Sequence, residues 1–231
     1  MNLKIAAIFV ALCSSALAQA PPPIKTKLVA VSIGGNVEKL FYKSSEKVLP
    51  FQAYQLGFGP SMDYVGPRRF ILHASEAAFA AEPPGPPPVA FADLPANSDK
   101  VLLLCVPAAE GKLRLISYDI SKGGAKAGDY RIFNLSKDVI SVILGDKKLV
   151  VNPSQDTIVS SQEWRSGGMD LKIQLATVKD GAATRVYSSI WGHEAARRNY
   201  IFMVNGATAT MPIEILTFYD VPAADIPPPA P

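Results

Sequence analysis

KLVAVSIGGNVEKLFYK (residues 27–43) and DYRIFNLSKDVISVILG (residues 129–145) decide how this chain is read. Set one above the other at a shift of 102, Ile33 falls on Leu135, Val37 on Val139 and Leu40 on Val142. The match continues downstream in the same order. RRFILHAS (68–75) lies over DLKIQLAT (170–177) at the same shift, and KVLLLCV (100–106) lies over NYIFMVN (199–205) at 99. LRLISYDI (113–120) lies over IEILTFYDV (213–221) at 101, where Tyr118-Asp119 meets Tyr219-Asp220. Any two β-rich segments share apolar alternation. A constant order of matches, with small shifts absorbed in loops, points to internal duplication.

Within each copy, apolar and β-branched residues recur at every second position, with Gly, Pro, Asn or Asp between the runs. Phe70, Leu72 and Ala74 share one face of their segment; Ile213, Ile215, Thr217 and Tyr219 share one of theirs. The only candidate helix, SEAAFAAE (75–82), is cut off by EPPGPPP. About seven short strands per copy is the count of an antiparallel sandwich. The expected fold is therefore all-β: two tandem antiparallel β-sandwich domains, residues 27–120 and 129–222, joined by a small-residue linker at 121–128.

MNLKIAAIFVALCSSALAQA shows the charge, apolar run and A-x-A order of a secretory signal peptide, with cleavage expected before Gln19. Residues 1–18 are set aside on that reading. Residues 19–26 and 223–231 then read as proline-rich tails. The longest later apolar run, VLLLCVPAA (101–109), is about half of the roughly 20 residues a spanning helix needs, so no membrane span is expected. Export to the periplasm or beyond, from a leader of bacterial length, is the expected localisation. Removing Lys4 with the leader lowers the formal net charge from +3 to +2, too mild to point to nucleic acid. Cys13 leaves as well, so Cys105 stands alone and reads as a buried small hydrophobe. Asn134-Leu135-Ser136 fits a glycosylation sequon but falls in or near a strand, and is expected to be unmodified.

LPANSDKVLLLC places Asp99 six residues before Cys105. In that spacing the first copy resembles the strand E to strand F corner of the immunoglobulin superfamily. Leu103 replaces the corner tyrosine, Cys105 has no partner cysteine, and no tryptophan stands on the third strand. The resemblance implies Ig-like topology in both copies and nothing about ligand.

WGHEAARRNY (191–200) carries His193 and Glu194 in the order of a zinc-protease helix, but Arg197 stands where the second histidine belongs. Its counterpart in the first copy, LPANSDK (94–100), is a loop between strands, so the expectation is a solvated loop without metal. Trp191, Arg197, Arg198 and Tyr200 are residue types that dominate contact sites. A second candidate surface is FQAYQLGFGPSMDYVGPRR (51–69), where Tyr54, Phe58 and Tyr64 lead to Arg68 and Arg69. No serine-nucleophile, phosphate-loop or cofactor motif is found, so no catalytic residue and no cofactor is assigned. The functional expectation is a non-catalytic exported module that binds a protein or polysaccharide. A two-domain periplasmic chaperone and a secreted hydrolase, with a site built from scattered carboxylates such as Asp63, Asp119, Glu163 and Asp220 or from His193, are the alternatives.

Overall fold

The computed structural model describes residues 22–82, 84–108, 112–121, 124–161 and 170–221. The leader at 1–18 and the tail at 223–231 lie outside them. Sixteen strands carry the described chain, and its helical content is one 3-10 turn, Glu76–Phe79, inside the stretch expected as the candidate helix.

The first half contains β1 (Ile24–Ser32), β2 (Val37–Ser44), β3 (Lys47–Gln55), β4 (Met62–Gly66), β5 (Arg69–Leu72), β6 (Ala90–Asp93), β7 (Lys100–Pro107) and β8 (Leu113–Asp119). The second contains β9 (Tyr130–Asn134), β10 (Val139–Leu144), β11 (Lys147–Val151), β12 (Asp156–Val159), β13 (Asp170–Lys179), β14 (Ala182–Gly192), β15 (Arg198–Asn205) and β16 (Ile213–Asp220). One pairing scheme serves both. The order β12-β9-β15-β16 repeats β4-β1-β7-β8, and β11-β10-β13-β14 repeats β3-β2-β5-β6, with β2 and β5 joined through the Phe41–His73 bridge. In the first half β3 also runs beside the end of β1.

The pairing corrects the shifts read from the sequence. Val29 and Val31 face one way on β1 while Leu28 and Ala30 face the other, and at a shift of 102 Arg131, Phe133, Tyr130 and Ile132 follow suit on β9. Because Lys27 pairs with Lys100 and Asn199 with Tyr130, β7 matches β15 at 98, which lays Leu104 on Phe202. For β8 and β16 the shift is 100, so Tyr118 corresponds to Phe218 and the paired Tyr-Asp dipeptides are not equivalent. A slip of one residue exchanges the two faces of a strand, so at 99 and 101 every inward side chain would have been matched to an outward one.

Two features depart from an antiparallel immunoglobulin sandwich. Pairs β1–β7, β1–β3 and β9–β15 are parallel. Setting β1 and its contact with β3 aside, β2, β3, β5 and β6 fall in one group and β4, β7 and β8 in the other. The order differs, because β2 and β5 are the central pair where strands B and E belong, and β1 separates β4 from β7. The cause lies in burial. Strands β7 and β15 are covered on both faces, as their unbroken runs VLLLC and YIFM require, and a strand buried on both faces suits the middle of a sheet with a parallel neighbour.

Three cores result. Leu28, Phe51, Phe70 and Leu103 fill the first half, and Ile132, Val142, Ile173 and Met203 fill the second. The third core lies between the halves: Val31 and Leu104 meet Phe133, Tyr200, Phe202 and Phe218. Phe133 stacks on Phe202 at 4.7 Å and Tyr200 on Phe218 at 5.0 Å. The inner sheets of the two halves thus pack on each other through aromatic side chains. The joining segment takes part, since Ala125 is buried and its carbonyl accepts a hydrogen bond from Arg198 Nη1 at 3.3 Å. Cys105 is wholly buried in the first core, and burial pushes its thiol up to about 12.

Candidate functional site

The structure disperses the residues that the sequence grouped. Tyr200 is buried between the halves, and Phe58 of the first half meets it edge-on at 5.2 Å, so both are core residues. Tyr64 is buried against Phe70, donates to the Pro67 carbonyl at 2.7 Å, and is pushed up to about 12 by burial. Neither candidate surface survives as a unit. Of the candidate residues in the 51–69 stretch, Tyr54, exposed with its hydroxyl 3.3 Å from Gln52 Oε1, and the two exposed arginines remain at the surface. Arg68 donates to the Leu94 carbonyl at 2.8 Å, and Arg69 lies 4.1 Å over the Phe91 ring.

The loop between β14 and β15 is a turn, in line with its first-half counterpart, but His193 is not solvated. It is buried, with Nδ1 3.1 Å from the Tyr130 hydroxyl. Position 193 follows a strand that ends at the rim of the second core, so the ring turns inward and the exposed Glu194 outward. Arg197 holds Glu194 at 2.6 Å and lies 3.9 Å over the Tyr219 ring. Arg198 grips Asp220 through Nε at 2.8 Å and through Nη2. Both arginines therefore bind β16 to the loop. Among the described residues no group of three His, Cys, Asp or Glu side chains is placed to hold a metal ion.

Burial lowers the His193 pKa, because the charged imidazolium loses solvation. With the folded value below the unfolded value of about 6.5, the unfolded state binds more protons near that pH. The stabilisation is complete above about pH 6.5 and is lost as pH falls through that value towards the depressed folded pKa. An NMR titration of the His193 ring should give a midpoint below about 6.5; one at or above it contradicts the burial.

Trp191 leads to a different site. On β14, Tyr187 and Trp191 are four residues apart and share a face; the indole Nε1 donates to the Tyr187 hydroxyl at 3.1 Å. With Met211, Ile213, Ile215 and Glu214 they line a cleft of about 470 Å³ between β14 and β16. These strands form the edges of the two sheets of the second half, and the cleft opens onto its core. Met211 remains 66% exposed at the rim, and Glu214 is the one charged residue of the lining.

The equivalent seam in the first half is closed. There β6, only four residues long, meets β8 through a 2.7 Å hydrogen bond from Ser117 Oγ to the Asp93 carbonyl. Reading from sequence found Trp191 but missed Tyr187 and Met211. The signal for Tyr187 lay in the strand period, which puts residues 187, 189 and 191 on one face. Nothing local marks Met211, which the Gly206–Met211 segment brings to the rim. A Cβ on Gly206 would stand 1.8 Å from the Met211 carbonyl, so this close approach needs glycine.

No protein-family model matches the chain, and no curated protein matches it.

Proposed function

We propose that the protein is an exported, non-catalytic binding protein built of two tandem β-sandwich halves of common origin, related to the immunoglobulin-like sandwiches in sheet membership but not in strand order. The open seam of the second half carries this reading. A folded core does not need an aromatic-walled opening of this size. Tyrosine and tryptophan offer broad contact area with little rotamer freedom to lose, which is why they dominate contact sites. The repeated strand scheme supports common origin. The charge, apolar and A-x-A order of residues 1–18 supports export. No helix among the described residues is long and apolar enough to cross a membrane.

The acids considered for a hydrolase do not favour that alternative. Asp119 accepts hydrogen bonds from Ser98 at 2.7 Å and Ser121 at 2.6 Å, and Asp220 is held by Arg198. Glu163 lies outside the described residues. Asp63 sits on β4, separated from Asp119 on β8 by β1 and β7.

The test is capture from the exported fraction by the immobilised protein, compared with a Tyr187→Ala, Trp191→Ala double variant. Loss of two hot-spot aromatics is expected to reduce recovery of a captured macromolecule at least about tenfold. Equal recovery by both proteins, or capture by neither, contradicts the proposal.

A further inference from the structure

Strand β14 is the longest of the sixteen at eleven residues, and it pairs with β13 along one side only. Among the described residues, 182–192 make no backbone hydrogen bond outside that ladder. The other wall of the cleft, β16, is likewise an edge, paired to β15 alone. Edges of this kind are ordinarily guarded by charge, proline or brevity. The first half shows such guarding. Its equivalent strand β6 has four residues, follows Pro86-Pro87-Pro88, and is met by β8. In β14, Arg185 and a β-bulge at Val186 guard the first part of the strand, but YSSIWG (187–192), which borders the cleft, has neither charge nor proline, and Ile190 on its outer face is 69% exposed. Two equivalent seams thus differ: one is closed and guarded, the other open, with its edge unguarded over residues 187–192.

Resting on the binding reading above, we infer that the seam takes an extended peptide segment of a partner protein, which adds as a strand to the free edge of β14. Main-chain hydrogen bonds to β14 provide affinity for any extended segment, and pockets for alternate side chains provide selection. Here the alternate side chains of the added strand enter the cleft over Tyr187, Trp191 and Ile215, completing the second core. The cognate segment therefore alternates apolar and polar residues and lacks proline at the positions that donate to the ladder.

The probes are nine-residue peptides in which valine, isoleucine or leucine alternates with threonine. Binding is read in a Trp164→Phe background by Trp191 fluorescence, and by amide exchange along β14 in the full protein. At least one peptide is expected to shift the fluorescence, to slow exchange of outward β14 amides at least tenfold, and to lose binding when proline replaces alternate residues. Binding by none of the peptides overturns the inference. So does fluorescence change without β14 protection, which marks a small apolar ligand site, or protection that rises with protein concentration alone, which marks a second copy. If capture fails in the double variant yet no peptide binds, the strand mode falls and the binding function stands. If peptides bind while capture is indifferent to Tyr187 and Trp191, the binding function falls.

Discussion

Replacing Phe202 with alanine is expected to lower the unfolding free energy by about 3–5 kcal/mol and to bring down both halves in one transition. Phe202 is wholly buried, and its ring stacks on Phe133 at 4.7 Å and on Phe218 at 5.5 Å. Truncation leaves a cavity in the layer that Val31 and Leu104 of the first half share with the second, and rigid strands on both sides cannot collapse into it. Urea unfolding followed by tryptophan fluorescence reports the second half, since both tryptophans belong to it. Reactivity of the buried Cys105 thiol reports the first half. Coincident midpoints for both probes, in the native chain and in the variant, are the expected result. A variant whose Cys105 protection is unaffected while the fluorescence midpoint falls would show that the halves are independent.

Asn134→Ala is expected to cost about 3 kcal/mol although it removes almost no apolar contact. Asn134 is wholly buried. Its Nδ2 donates to the carbonyls of Asp138 and Val151, both at 2.8 Å, and its Oδ1 accepts from Ser136 N at 3.0 Å and Ser136 Oγ at 2.6 Å. Four polar groups each lose a hydrogen bond in alanine; Ser136 Oγ still reaches the Asp138 carbonyl at 3.2 Å, and a buried group left unpaired costs about 1–3 kcal/mol where no water reaches it. Asn134→Asp is worse placed still, because its carboxylate would face two carbonyl oxygens. Chemical denaturation of the two variants checks the order: native above alanine, and alanine above aspartate at neutral pH. An alanine variant within about 0.5 kcal/mol of the native chain contradicts the network. The same geometry is in line with an unmodified Asn134-Leu135-Ser136, since Asn134 is buried and its Nδ2 donates to two carbonyls.

Much of the architecture was legible because strand period and turn residues are local signals. The order of segments and the absence of long helices among the described residues follow from alternation and punctuation alone. Pairing partners do not. Whether Leu103 or Leu104 matches Phe202 depends on which face of β7 meets which core, and in a run as uniform as VLLLC the sequence offers no odd residue to anchor the choice. That uniformity was itself the signal for burial on both faces, and so for a layer between the halves. The contact residues scattered for a related reason. Tyrosine, arginine and tryptophan serve equally in hot spots and in cores or clamps. Tyr200, Tyr64 and Phe58 turned inward, Arg198 became a clamp for Asp220, and Trp191 kept an open face because its strand lies at a sheet edge.

Amide hydrogen exchange over the whole folded chain tests the account most directly. It predicts that β1, β7, β9 and β15 share one highest level of protection, set by global unfolding of a single cooperative unit, while outward amides of β14 exchange many times faster than those paired with β13. Separate protection levels for the two halves, or β14 amides uniformly as slow as those of β15, would contradict it.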